Sequence, residues 1–224
     1  AAEYRYFSAD ITRTFPVNGT FTEPQRAIYE IVLAAERAGI SASVPGSTMR
    51  VIHETASRVL TEGLVALGLL PCDVTDSISM HHYREFFMHG TGHWLGMDVH
   101  DAGTYQDVDG HRLLEPGMVF TVEPGIYVRP DQETATFHML EYDLDEWTER
   151  RMRLGLAKAK LAEAEELAAA EKVEHAIPPA FRGIGVRIED DLLVTPDGHE
   201  NLTAAVPVDI DDVEALCRET TRLP

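Results

Sequence analysis

Between Met88 and Asp109 the chain places Gly90, Gly92, Gly96 and Gly103 around His89, His93 and His100. Glycine in a helix interior costs about 1 kcal/mol relative to alanine. This stretch therefore folds as strands and tight turns rather than as a helix. Glycines also let two backbones approach closely. Three imidazoles framed in this way point to a site more than to scattered surface histidines. His89 and His93 are four apart, but the H-E-x-x-H pattern that uses such a pair on a helix is absent. On strands and turns the two rings can reach one cleft from different heights.

The flanking segments alternate between strand and helix signals. Tyr4 to Val17 is rich in aromatic and β-branched residues and predicts two strand segments, with a turn at Asn18-Gly19. Thr22, Pro24 and Gln25 open a helix as N-cap, first-turn proline and capping-box partner. Its apolar face is Ile28, Ile31, Val32 and Ala35, and Gly39 is expected to end it. Ser47 is expected to cap a second helix, with Val51, Ala56, Val59, Leu60 and Leu64 on its buried stripe and Gly68 at its end. Gly117 to Val128 and Gly183 to Thr195 read as strands, and Asp211 to Thr220 as a terminal helix. From Asp145 to His175 the residues are mainly Ala, Glu, Leu, Lys and Arg, which predicts a long helix. Trp147, Leu154, Leu161 and Ala168 recur every seven residues, but Arg150, Ala157, Ala164 and Glu171 make a poor partner row. A helix or helical hairpin packed on the domain is favoured over a dimerising coil. The expected helical insertion runs from about 132 to 180 and ends at Pro178-Pro179.

Several acids sit among apolar strand residues. Glu123 follows Thr121-Val122, and Arg187 and Glu189 alternate with Val186 and Ile188, so the two charged residues share a face. Asp10 precedes Ile11 in the first extended segment. An inward carboxylate needs a compensating partner, and a cation is a good one. Asp10, His93, Glu123 and Glu189 together offer three carboxylates and one imidazole. That donor set suits manganese, iron, cobalt or zinc, and several carboxylates invite two ions that activate water and polarise a carbonyl.

Composition narrows the alternatives. Nineteen basic residues against thirty-eight acidic ones give a net charge of −19 in 224 residues, which argues against coating nucleic acid or an anionic membrane. Cys72 and Cys217 form no disulfide or zinc-ribbon pattern and are expected as reduced thiols of a cytoplasmic protein. The N-terminal residues lack both an initiator Met and the apolar core of a signal peptide.

The ordered segments Phe7-Ser8-Ala9-Asp10-Ile11-Thr12-Arg13-Thr14-Phe15-Pro16, His89-Gly90-Thr91-Gly92-His93-Trp94-Leu95-Gly96, Asp98-Val99-His100-Asp101, Glu123-Pro124-Gly125-Ile126-Tyr127 and Gly183 to Asp191 resemble the motifs of Xaa-Pro aminopeptidases. These belong to the pita-bread metallopeptidases, with prolidase, creatinase and methionine aminopeptidase as relatives. The resemblance covers nearly all of the chain outside the helical insertion. It implies an α+β fold with a curved antiparallel sheet, pseudo-twofold symmetry and helices on the outer face, forming one catalytic domain over 1–224. It implies Asp10, His93, Glu123 and Glu189 as metal ligands, with Asp10 and Glu189 bridging two divalent ions, usually manganese. His89 and His100 match substrate-side histidines, Tyr127 and Arg187 a supporting relay, and Glu123 the group that takes a proton from the attacking water. Peptides with proline in second position are the implied substrates and a homo-oligomer the implied assembly. The resemblance also places one more metal-binding aspartate just before Ala1, so the chain is expected to be a fragment. A prolidase restricted to dipeptides shares these motifs. A pita-bread module that binds peptides without cutting them would lose several ligands, and creatinase-like chemistry does not need the full set of metal acids.

Overall fold

A computed structural model describes residues 2–107, 110–141 and 143–219. Ala1, Asp109 and Thr220, which bound three of the expected segments, lie outside the described residues. The first extended segment forms a hairpin of β1 (Ala2–Tyr4) and β2 (Phe7–Ala9). Beyond it only Thr12 joins a ladder, opposite Glu189.

Two long helices follow. α1 (Glu23–Ala42) starts at Thr22, whose backbone N–H donates to the Gln25 side chain at 2.9 Å. Gly39 does not end this helix. It lies inside it and is buried, where a Cβ would come within 3.0 Å of the Val122 side chain. The glycine is a close approach of helix to sheet, and the helix stops at Ser43, whose hydroxyl donates back to the Gly39 carbonyl. α2 (Met49–Ala66) is capped by Thr48 rather than Ser47, since the Thr48 hydroxyl accepts the Val51 N–H at 3.2 Å. Its buried stripe is Ile52, Ala56, Leu60 and Leu64, whereas Val51 faces solvent. A short α3 (Val74–Ser79) and a 3-10 turn (His82–Glu85) lead into the glycine-histidine stretch.

The described residues of that stretch contain no helix, in keeping with its composition, and β3 (Gln106–Asp107) at its end pairs antiparallel with β4 (Gly110–His111). The central ladder comes next. β5 (Val119–Val122) and β6 (Gly125–Tyr127) are one strand interrupted at Glu123-Pro124.

The segment expected as a helix or helical hairpin is a two-stranded stem with two helices on it. β7 (Thr134–His138) pairs antiparallel with β8 (Lys172–Ala176), and between them α4 (Leu144–Leu154) turns at Gly155 into α5 (Leu156–Ala169). Arg150 bonds Glu166 at 2.7 Å and Arg151 bonds Glu163 at 3.0 Å, so the two helices fold back on each other. The heptad leucines Leu154 and Leu161 are exposed. The stem is tied down by His82 Nε2 at 3.1 Å from the His138 carbonyl.

β9 (Gly185–Arg187) and β10 (Asp190–Thr195) return against β6 and β5, and β11 (Gly198–Asn201) pairs on the outer edge of β10. Asp190 stands opposite Val122 and Arg187 opposite Gly125. The same register therefore puts Glu189 opposite Glu123 across the break. All described strand pairs are antiparallel. Phe120, Val122, Leu192 and Val194 pack into one buried cluster with Ile52, while Val186 and Ile188 join the larger core under α1 and α2. Strand alternation then sends Glu123, Arg187, Glu189 and Asp191 to the opposite face. The terminal helix, α6 (Ile210–Arg218), buries Ile210 and Val213. Among the described residues no helix is long and apolar enough to cross a membrane.

Candidate metal centre

The acid-bearing face is assembled from four pieces of chain. Glu123 and Glu189 come from the break in the central ladder. Thr12 bridges to Glu189 by backbone bonds, which carries Asp10 alongside, and the Asp10 N–H donates to Asp191 Oδ2 at 3.1 Å. His93 arrives on the other edge of β5, where Thr121 N donates to the His93 carbonyl at 3.0 Å and Glu123 N to the Thr91 carbonyl at 2.7 Å. Gly92 permits that pairing, because a Cβ there would lie 1.9 Å from the Thr121 carbonyl oxygen.

His93 Nε2 stands 3.5 Å from both Asp10 Oδ2 and Glu123 Oε1. Its Nδ1 is 3.1 Å from the Trp94 carbonyl. Donation there turns the Nε2 edge of the ring toward the acids. Two donor groups result, Asp10-His93-His100 and His93-Glu123-Glu189, each with its ligand atoms within 4.8 Å of one another. His93 is common to both. The His100 ring packs edge-on against His93, with centroids 4.3 Å apart.

These carboxylates are short of positive charge. Burial, and then Glu189, push Glu123 up to about 7. Glu189 is raised by burial, although the Thr12 hydroxyl donating to it pulls the other way. Asp191 is raised to about 6 by burial, and its Oδ1 is buried without a hydrogen-bond partner. Asp10, Glu123, Glu189 and Asp191 thus crowd one face with Arg187 as their nearby cation. Such an arrangement needs compensation that the side chains do not provide. A divalent ion fits: the donors are hard oxygens with the imidazole nitrogens of His93 and His100 and no sulfur.

The remaining predicted residues form one connected chain. Arg187 Nη1 lies 3.1 Å from Glu123 Oε2, Arg187 Nε donates to Tyr127 Oη at 2.7 Å, and Arg187 Nη2 donates to His89 Nε2 at 3.0 Å. The Tyr127 hydroxyl is 2.9 Å from the same His89 nitrogen. His89 Nδ1 donates to the Gly90 carbonyl at 2.7 Å. Burial, and the facing Arg187, lower the His89 pKa, which suits a neutral ring accepting at Nε2. Every site residue expected from sequence therefore lies either in the donor groups or in this chain.

Some contributors were not singled out. Thr12 and Asp191 belong to the acid face. The alternation from Asp10 to Thr12 and from Glu189 to Asp191 was a usable signal for both. His53 had none. It sits on α2 behind the glycine loop, its Nδ1 2.8 Å from the Thr91 hydroxyl.

Comparison with known proteins agrees with this architecture. Residues 1–196 match the profile of metallopeptidase family M24. The chain belongs to that family. It is 42% identical over 214 residues to the Xaa-Pro aminopeptidase of Haemophilus influenzae, covering 96% of this chain and 40% of that protein. It is 38% identical over 226 residues to the human Xaa-Pro dipeptidase, covering 95% of this chain and 40% of that one. Among solved structures, proline aminopeptidase P II from Yersinia pestis superposes with a TM-score of 0.74 at 44% identity, covering 96% of this chain and 39% of the other. The fold is the pita-bread fold of these aminopeptidases. The chain spans about two fifths of the length of the relatives it matches.

Proposed function

We propose that this chain is the catalytic part of a metal-dependent peptidase that releases an N-terminal residue preceding proline. The observation that carries the reading is the link between the two donor groups and the Glu123-Arg187-Tyr127-His89 chain. Metal-ligating side chains and a polar relay share one residue, Glu123. The similarity to Xaa-Pro aminopeptidases over most of this chain supports the substrate class.

Asp10, His93, Glu123 and Glu189 are the proposed ligands of two divalent ions, with manganese preferred over zinc, cobalt or iron. Ions bound there would supply a Lewis acid for the scissile carbonyl and an activated water. Glu123 takes the proton of the attacking water and returns it to the leaving prolyl nitrogen. Arg187 holds Glu123 in place and orients Tyr127. His89 and His100 flank the donors and steady the substrate and the developing oxyanion. Two free cysteines, Cys72 and Cys217, support a cytoplasmic setting, and the resemblance supports a homo-oligomer of the full-length protein.

The human dipeptidase among the relatives keeps a second reading in view, a prolidase confined to dipeptides. Metal-loaded full-length protein should hydrolyse Xaa-Pro-Xaa tripeptides and lose that activity on chelation. Cleavage of Xaa-Pro dipeptides alone would select the prolidase. Cleavage of neither would reject both readings.

A further inference from the structure

His89 also lines a cavity of about 620 Å3 whose walls include neither Arg187 nor any of the proposed metal ligands. Around it stand Arg50 and His53 of α2, Arg84 of the 3-10 turn, His111 of β4 and Thr148 of α4. No aspartate or glutamate is among the described residues that line it. In a chain of net charge −19, a concave surface with two arginines and no acid among its described residues differs in sign from the chain as a whole. Arg50 is already engaged by Glu54 at 2.7 Å and stands 3.2 Å from His111. Arg84 is exposed and makes no salt bridge among the described residues. Burial, and then Arg84, push His53 down to about 4, so the His53 ring adds no positive charge to the wall.

We propose that this cavity takes the carboxylate-bearing part of the peptide downstream of proline, with Arg84 as its anchor and the inserted helix α4 as part of its outer wall. The inference rests on the peptidase reading above. A peptide has a cationic amino end and, downstream, carboxylate groups. Arg84, exposed and without a salt bridge among the described residues, repels the amino end and attracts a carboxylate. His89, which borders both the metal centre and this cavity, marks where the chain passes from one to the other. Complementary charge of this kind sets the direction in which a ligand docks. It also gives the insertion a role at the substrate, because Thr148 belongs to it.

The probes are Pro-Leu and its amide for a terminal carboxylate, and the amides of Pro-Asp and Pro-Asn for a side-chain one. Calorimetric affinities are measured on the metal-loaded full-length protein at low salt. In at least one pair the acid should bind about five-fold tighter than its neutral partner, in keeping with a charge-assisted contact at a partly solvated site. The ratio should shrink as salt is added, approach one in Arg84→Gln and fall below one in Arg84→Glu. Which pair responds identifies the source of the carboxylate. Equal affinities in both pairs, or a preference untouched by either Arg84 variant, would overturn the assignment while leaving Xaa-Pro hydrolysis intact. Absence of Xaa-Pro hydrolysis by the unmodified protein would instead sink the peptidase reading and this inference with it.

Discussion

Glu189 and Asp190 are neighbours in sequence and opposites in circumstance. Asp190 points to the helix side of the sheet. There it receives Arg13 at 2.6 Å, Thr203 at 2.7 Å and Asn201 at 3.0 Å. Burial pushes its pKa up, yet these donors outweigh burial and hold it below the ordinary carboxylate value. Glu189 points the other way, toward Asp10, Glu123 and His93, and burial raises it. Both are almost fully buried. The difference lies in whether the protein supplies its own compensation. A buried acid with a full set of donors is part of the framework. A buried acid among other acids, with too few donors, is where a cation is expected.

Four experiments on the existing chemistry would break or sharpen that contrast. The largest effect is expected from Glu123→Gln in the metal-loaded full-length protein. Loss of a proton carrier that is also a proposed metal ligand should lower kcat by at least about 10³-fold. A kcat within ten-fold of the parent would remove Glu123 from the proton transfer. Arg13→Met strikes the compensated side. Stranding Asp190 should cost about 3 kcal/mol of stability, read as a lower urea midpoint, and an unchanged midpoint would show that Thr203 and Asn201 suffice.

Ion binding should separate the faces directly. Manganese at about a hundred times its dissociation constant should stabilise the parent by about 2.7 kcal/mol. That gain should vanish in His93→Ala, whose ring joins both donor groups, and persist in Asn201→Ala. The smallest activity effect is expected from Tyr127→Phe, which removes one hydroxyl from the Arg187-His89 chain. A loss of about ten-fold in kcat, near 1.4 kcal/mol, would place that hydroxyl in the relay. No loss would leave Arg187 holding Glu123 without it.

A pH measurement tests the framework side from another angle. Glu36, buried on α1, is pushed up to about 9 by burial and by the adjacent Asp190. In the unfolded chain its carboxyl loses its proton near the ordinary value of 4.5. The stability linked to it is therefore complete below that pH and declines as pH rises toward 9. The urea midpoint of the parent should fall between pH 6 and pH 9. In Glu36→Gln that fall should be smaller, and an identical slope would place the titration elsewhere.

Much of this was legible in the order of residues. Glycine around His89 and His93 ruled out a helix, and alternation set Arg187 and Glu189 on one face. Thr22, Pro24 and Gln25 marked the start of α1 because capping is satisfied within a single turn. Local rules failed where the deciding neighbour was distant. Gly39 resembles a terminator in sequence, but it is where β5 crosses α1. Ser47 and Thr48 are equivalent cap candidates until the Thr48 hydroxyl is seen at Val51 N. The segment from Asp145 to His175 has the composition of one helix, and only the pairing of Thr134 with Ala176 forces it to turn back and end as a strand.

The sequence by itself determined which side chains could hold an ion and which elements would carry them. Residue type, glycine content and alternation are local properties. Tertiary structure decided which acids remain uncompensated. That depends on partners brought from far along the chain: Arg13 to Asp190, Thr12 to Glu189, and Glu123 into register with Glu189. Buried charge is stabilised or left needy by what lies within a few ångströms in space, and chain order does not record that distance.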